Sequence, residues 1–280
     1  MKLFLDTANL EEIKKARDFI DGITTNPTLF SKEAEDFKKL IKEICKTVNG
    51  PISVEVISKD YNEMLKEAKL LTRLGKNIVI KVPMTPEGIK ATEYLTKKGI
   101  KVNVTLIFST NQALLAAKAG ATYASPFIGR IDDIGMNGLG LLEDIKILYE
   151  THGFKTKIIA ASIRSPEQVK ESALIGIDIV TLPPKILWEL FNHPLTDNGL
   201  ETFLKDWGNE KKEVGTELKL EPTLQSRIEK TPQTEIQNAR LTELTPIPLT
   251  QQVQEQKVKK GLLEWLFGKK TEKTQEEYLR

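Results

Sequence analysis

The sequence has a single cysteine and only two histidines, and its charges nearly balance. Cys45 alone cannot form an intramolecular disulfide or a cysteine-ligated metal cluster, and its helical context places it in the core. Lysine and arginine number 41 against 39 aspartate and glutamate, which gives no support to a general role in binding nucleic acid or membranes. His152 and His193 lie away from the predicted strand ends. We therefore expect surface histidines rather than zinc or histidine-based hydrolytic chemistry.

Long apolar runs are also missing. No stretch approaches the roughly 20 residues of a membrane span. The N-terminus, MKLFLDTANLEE, becomes acidic within its first six residues and lacks the apolar region and cleavage site of a secretory signal. We therefore expect a soluble, cytoplasmic protein.

Short β-branched runs alternate with amphipathic stretches of helical period over the first 208 residues. Two of the helical stretches end at Gly75 and Gly120, where a glycine would follow the helix C-cap. Eight parallel βαβ units predict an α/β fold, a single closed (β/α)8 TIM barrel. An open doubly wound sheet is the alternative, but DTANLEE after the first run lacks the glycine-rich fingerprint that such a sheet favours. The predicted strands are 2–6, 22–26, 51–56, 77–82, 101–107, 121–127, 157–162 and 178–182.

The composition changes near residue 210, where we place a domain boundary between a barrel (1–210) and a tail (211–280). Residues 211–256 contain no aromatic residue and no aspartate, which is typical of a tether that buries little apolar surface. Residues 257–270, KVKKGLLEWLFGKK, predict a short amphipathic helix. Docking on a protein partner, on a neighbouring subunit or on a membrane surface remains open, as does an inert extension; of the docking roles, a partner is favoured over a membrane.

Polar side chains mark the C-terminal ends of the predicted strands, where a barrel gathers its active site. Because residues two apart on a strand share a face, Asn103 and Thr105 both point inward, as do Ser125 and Phe127. The convergence of so many polar residues is more informative than any one of them. The set is Asp6, Asn26, Glu55, Lys81, Asn103, Thr105, Ser125 and Ser162.

Lys81 interrupts IVIKV, an otherwise apolar strand. Burying a charged ammonium is costly, which favours the neutral amine that imine formation needs. A strand-end lysine that reaches solvent or pairs with a carboxylate is the alternative. Asp6 either caps the helix that follows or acts as a general acid and base, and Glu55 faces either the lumen or the helices.

Two basic segments follow the sixth and seventh strands. Arg130 lies in FIGRIDD, and Arg164 lies in ASIRSP beside Ser162. Arginine offers paired donors that match phosphate oxygens, so these residues predict a phosphate site. Surface ion pairs with Asp132, Asp133 or Glu167 are the alternative.

These motifs together resemble the transaldolase family, in the short subfamily that includes the fructose-6-phosphate aldolases. The resemblance covers roughly residues 1–208 and ends in a helix with Asp206–Trp207. It is highly specific because the segments occur in the family's order. They are LFLDTAN, GITTNPTLF, SVEV, IKVPMT, NVTLIFS, SPFIGRIDD and AASIRSP.

The resemblance implies a role for each residue at the strand ends. Lys81 would form the imine with the donor ketose, and Asp6 would carry the proton that accompanies carbon–carbon bond cleavage. Glu55 and Thr105 would hold and activate the water of imine formation and release. The substrate-binding residues would be Asn26, Asn103 and Ser125, which hold the dihydroxyacetone hydroxyls, together with Phe127. Arg130, Ser162 and Arg164 would bind the phosphate.

Two residues indicate the reaction within that family. Glu55 and Phe127 match the transaldolases, whereas the aldolases carry glutamine and tyrosine there. The resemblance thus implies a transaldolase of the pentose phosphate pathway, which moves a dihydroxyacetone unit from sedoheptulose 7-phosphate or fructose 6-phosphate to an aldose phosphate. It implies no metal or organic cofactor, and a homo-oligomer, commonly a pentamer or decamer. The alternatives are a fructose-6-phosphate aldolase using the same lysine, and an oligomeric scaffold whose tail binds a partner.

Overall fold

The protein is described by a computed structural model over residues 1–27 and 37–214. Eight parallel strands each pair with the next, and β8 pairs with β1, so the sheet closes into a barrel. This confirms the predicted (β/α)8 barrel and excludes the open sheet. The strands are β1 Lys2–Asp6, β2 Gly22–Thr24, β3 Ile52–Glu55, β4 Ile78–Pro83, β5 Val102–Ile107, β6 Tyr123–Pro126, β7 Lys157–Ala160 and β8 Ile179–Leu182.

Most helices of the barrel begin at a residue whose side chain accepts backbone N–H groups of the first turn. Asn9, Asp60, Ser109 and Ser165 are examples of such N-caps. The helices are α1 Leu10–Ala16, α2 Phe37–Thr47, α3 Tyr61–Leu71, α4 Pro86–Lys97, α5 Thr110–Lys118, α6 Ile128–Asp132, α7 Gly138–Thr151, α8 Pro166–Ile175, α9 Pro184–Glu189 and α10 Pro194–Val214.

The barrel lumen is filled by an apolar cluster that lies beneath the strand ends. It consists of Phe4, Val79, Tyr123, Ile159 and Ile179, all buried, from five different strands. Because side chains two apart on a strand share a face, the next inward layer comes two residues later on each strand. That layer contains the polar residues of the predicted site.

One of the two glycine predictions is wrong. Gly120 follows the C-cap of α5 with a φ of 80°, as predicted. Helix α3, however, ends at Leu71 with Thr72 as its C-cap, four residues before the expected end. A Cβ on Gly75 would lie 2.5 Å from the Cys45 sulfur, so this glycine permits close packing rather than a helix end. Cys45 itself is only partly buried against the core.

Helix α10 forms a separate unit from the barrel of residues 1–190. It continues past residue 210, and the predicted tether and tail helix at 215–280 lie outside the described residues. The domain boundary near residue 210 therefore stays a prediction. Among the helices described, none is both long and apolar enough to cross a membrane.

The approach of β2 to β3 at the N-terminal end of the barrel requires a glycine at position 50. A Cβ there would lie 1.7 Å from the carbonyl oxygen of Asp21. We expect Gly50→Ala to lower the free energy of unfolding by about 1–3 kcal/mol or more, because the backbone must shift to make room. The measurement is the urea unfolding midpoint.

Gly208→Ala is the matched control, since a Cβ there would come within 4 Å of no described atom beyond its chain neighbours and its own helix backbone. Alanine favours helix over glycine, so this variant should be neutral or stabilised by up to about 1 kcal/mol. Equal midpoints for the two variants would contradict the steric argument.

Candidate active site

Lys81 lies inside the barrel on β4 and is only 5% exposed. Its Nζ is 2.9 Å from a Glu55 carboxylate oxygen and donates a 2.9 Å hydrogen bond to the Thr25 carbonyl oxygen. Glu55 and Lys81 are direct partners in the β3–β4 register, so both side chains point into the lumen. The predicted alternative of carboxylate pairing thus occurs, but it occurs inside the lumen and not at a solvated strand end.

Asp6 also lies in the lumen and does not cap the following helix. Asn9 caps α1 instead, accepting from two backbone N–H groups. The Asp6 carboxylate accepts a 2.8 Å hydrogen bond from the Thr24 hydroxyl, which lies 2.6 Å from the Thr181 hydroxyl. Burial raises the pKa of Asp6, although Lys81 and the Thr24 hydroxyl both lower it. A raised pKa brings this carboxyl closer to neutral pH, where a group can both accept and return a proton.

A chain of polar side chains crosses the lumen beside Lys81. The Ser125 hydroxyl donates to the Asn103 side-chain oxygen at 2.7 Å, and the Asn103 amide donates to the Ser53 hydroxyl at 3.1 Å. All three residues are buried. Since Asn103 is the register partner of Lys81, these groups line the wall next to the amine.

Thr105 continues the same face of β5 two residues beyond Asn103. Its hydroxyl is fully buried and bonds to no atom among the described residues. The strand becomes irregular directly afterwards, with Leu106 at a φ of 60° and a register shift before Ile107. A buried hydroxyl without a protein partner is suited to bind a water or substrate oxygen.

Arg130 and Phe127 follow β6 at the rim of the barrel. The Arg130 guanidinium lies over the Phe127 ring, 5.1 Å from its centroid. The Phe108 ring packs edge-on against the same phenylalanine at 5.9 Å. This stacking restricts the orientation of an exposed arginine.

Ser162 and Arg164 follow β7 and lie against the backbone of residue 129. A Cβ on Gly129 would lie 2.0 Å from the Ser162 carbonyl oxygen and 2.9 Å from the Arg164 side chain. Ser162 has a φ of 62°, a conformation that is uncommon for serine. The structure therefore brings together the two basic segments that the sequence predicts.

Arg164 also makes one of the predicted alternative contacts. Its Nη2 lies 3.1 Å from the Asp133 carboxylate, and both side chains are exposed.

Asn26 is partly buried two residues after β2, and both histidines are exposed. The set predicted from strand ends thus occupies one end of the barrel.

Several lumen groups were missed by sequence reasoning. Ser53 precedes Glu55 by two residues, and Thr24 precedes Asn26 by two, so the same alternation that placed the site would have found them. Thr181, two residues after Ile179, has the same signal. The Thr25 carbonyl has no such signal, because every residue carries a backbone carbonyl and the residue type does not indicate which one bonds to Lys81.

Comparison with known proteins is consistent with this geometry. The family described as Transaldolase/Fructose-6-phosphate aldolase matches residues 3–231. A probable transaldolase of Kosmotoga olearia is 59% identical over 217 residues, which covers 77% of this chain and 100% of the relative. Those of Petrotoga mobilis and Aquifex aeolicus are 56% and 57% identical over 209 residues, covering 74% of this chain and 95% and 96% of each relative. The chain belongs to the transaldolase/fructose-6-phosphate aldolase family.

Proposed function

We propose that this protein is a transaldolase that transfers a dihydroxyacetone unit from sedoheptulose 7-phosphate or fructose 6-phosphate to an aldose phosphate. The observation that carries the proposal is the Lys81 amine, enclosed in the lumen against Glu55, with the charge of Lys81 also acting on the partly buried Asp6. Relatives named probable transaldolase at 56–59% identity support it.

Imine formation begins when Lys81 passes a proton to the Glu55 carboxylate 2.9 Å away and becomes a neutral nucleophile. The amine attacks the ketose carbonyl at C2 and forms a carbinolamine. Loss of its hydroxyl as water, with the proton from Glu55, gives the iminium ion. Thr105 binds that water and returns it for hydrolysis at the end of the cycle.

Carbon–carbon cleavage needs a base at the C4 hydroxyl. Asp6 accepts this proton, the C3–C4 bond breaks, and its electron pair passes into the iminium to leave an enamine on Lys81. The aldose phosphate departs. An acceptor aldehyde is then attacked by C3 of the enamine, and Asp6 returns its proton to the new C4 oxygen. Because the imine serves as the electron sink, the reaction needs no metal or organic cofactor.

Substrate binding divides between the lumen and the rim. Asn26, Asn103 and Ser125 hold the hydroxyl groups of the three-carbon unit. The phosphate binds at Arg130, Ser162 and Arg164, which the close contact at Gly129 brings together. A phosphate dianion is the group that these donors match.

Transfer is favoured over simple aldol cleavage by Glu55 and Phe127. Transfer requires the three-carbon enamine to persist until an acceptor arrives, whereas aldolase turnover requires its protonation and hydrolysis. The Phe127 ring offers no hydrogen bond to the water that hydrolyses the imine. The family resemblance implies a tyrosine at this position in the aldolases, and its hydroxyl could make that hydrogen bond.

The assembly remains a further proposal. Helix α10 exposes Leu200, Phe203, Leu204 and Trp207, which share one helical face. An apolar face of this kind is suited to subunit contact, in keeping with a homo-oligomer. Pentamer or decamer size, a cytoplasmic location and partner docking by the tail stay predictions.

Lys81→Ala should abolish the transfer. With fructose 6-phosphate and erythrose 4-phosphate, the wild type should form sedoheptulose 7-phosphate only when the acceptor is present. Borohydride should trap the three-carbon unit on Lys81, as detected by mass spectrometry. Lys157→Ala is the matched control, since Lys157 is the exposed first residue of β7. Free dihydroxyacetone at an equal rate without acceptor would indicate an aldolase, and no product with either mixture would refute the proposal.

Thr24→Val should move the acidic limb of the kcat/KM profile to higher pH. Asp6 must be ionised to accept the C4 proton, so activity falls as pH drops through its pKa. The Thr24 hydrogen bond lowers that pKa, and its removal therefore raises it. Thr156→Val, which removes a buried hydroxyl bonded to the Ala121 carbonyl, should leave the limb in place. A limb that stays fixed in Thr24→Val would contradict the role of Asp6.

Phe127→Tyr should raise the release of free dihydroxyacetone from fructose 6-phosphate relative to transfer. The added hydroxyl would hydrogen-bond the water that hydrolyses the imine. Phe108→Tyr places the same hydroxyl on the neighbouring, more exposed ring and serves as the control. An unchanged ratio of release to transfer in Phe127→Tyr would contradict the role of Phe127 in favouring transfer.

A further inference from the structure

Glu67 is a buried carboxylate that the mechanism does not use. It lies on α3, is only 2% exposed, and turns back toward the segment that joins β3 to its own helix. It accepts hydrogen bonds from the backbone N–H groups of Ile57 at 2.7 Å and Ser58 at 3.1 Å. The Ser58 hydroxyl donates to it as well.

Three hydrogen-bond donors on one buried carboxylate offset the large free-energy cost of removing its charge from water. Burial raises the pKa of Glu67, and the nearby Glu63 carboxylate raises it further, while the three hydrogen bonds lower it. An apolar residue at this helix position would fill the space without that cost. The carboxylate is thus explained by what it holds and not by packing.

The segment that it holds is the continuation of the strand that carries Glu55. Upstream, Glu55 is fixed by its register opposite Lys81. Immediately downstream, the Val56 N–H donates to the Lys81 carbonyl oxygen at 3.0 Å. The next two backbone N–H groups, of Ile57 and Ser58, both end on Glu67. Both backbone N–H groups of the Ile57–Ser58 segment are therefore held by this one side chain.

We propose that Glu67 is a positioning residue for the transfer reaction. It anchors the Ile57–Ser58 backbone and so keeps the Glu55 carboxylate against the Lys81 amine. The inference rests on the proposed function, because it concerns the pair that forms the imine. A reacting group displaced by about 1 Å can lose about a hundredfold in rate, so the anchor acts on kcat without touching substrate.

The test compares Glu67→Gln and Glu67→Ala with the wild type in transfer from fructose 6-phosphate to erythrose 4-phosphate. Glutamine retains one acceptor for Ile57 but turns an N–H₂ donor toward the Ser58 N–H. We expect kcat to fall about tenfold to a hundredfold, most in the alanine variant. KM should change by less than about twofold, since the phosphate-binding segments lie elsewhere. The rate of borohydride trapping on Lys81 at saturating substrate should fall in parallel.

Tyr149→Phe is the control for a loss of stability alone. It removes a buried hydrogen bond that joins Tyr149 on α7 to the Ala113 carbonyl on α5, away from Glu67. This variant should retain the wild-type kcat. A Glu55→Gln, Glu67→Gln double-mutant cycle supplies the readout that a merely structural role would not move. If Glu67 acts through Glu55, the double variant is no slower than Glu55→Gln alone. Losses that add independently, or an unchanged kcat in Glu67→Ala, would overturn the proposal.

Amide hydrogen exchange separates this result from the fate of the proposed function. The peptide that spans residues 56–58 should lose protection in Glu67→Gln and keep it in Tyr149→Phe, whether or not the enzyme transfers dihydroxyacetone. Lost protection with an active wild type and an unchanged kcat contradicts the positioning role alone. A wild type without transfer activity overturns both proposals, and unchanged protection refutes the anchor itself.

Discussion

The ion pair of Lys81 and Glu55 inside the barrel is the interaction on which the rest of the site depends. Removing an ammonium and a carboxylate from water costs several kcal/mol for each ion, and only close pairing with further hydrogen bonds offsets that cost. The 2.9 Å pair and the Thr25 carbonyl satisfy this requirement. The same enclosure gives the amine a proton acceptor at contact distance. Stability and reactivity therefore demand the same geometry.

That geometry follows from the closed barrel. Direct register between Glu55 and Lys81 places both on the inner face, where no sheet edge exists to expose them. Beneath them, the apolar layer that includes Phe4 and Val79 excludes water from below. Asp6 and Lys81 each come two residues after a member of that layer. The two-residue period of the strands thus places the polar layer directly above the buried apolar layer.

The strand period also explains how much of the molecule could be predicted. Eight β-branched runs gave all eight strands, and alternation along β5 placed Asn103 on the inner face. Whether Asp6 capped a helix or faced the lumen could not be decided, because both roles use the same residue after a strand; the structure resolves it through Asn9. Gly75 misled because a glycine required for contact with Cys45 looks in sequence like one that ends a helix. Glu67 gave no signal, since a glutamate on an amphipathic helix normally faces solvent.

The contrast between the two ion pairs of this site separates chemistry from substrate recognition. The Arg164–Asp133 pair is exposed, and such pairs contribute only about 0–1 kcal/mol. A phosphate dianion that offers Arg164 more than one oxygen can therefore replace Asp133 at little cost. The buried Lys81–Glu55 pair cannot exchange partners so freely, because removing either member leaves an uncompensated charge. Under the proposed phosphate role of Arg164, changes at the rim would alter which sugar phosphate binds, while the lumen keeps the amine and its carboxylate in place.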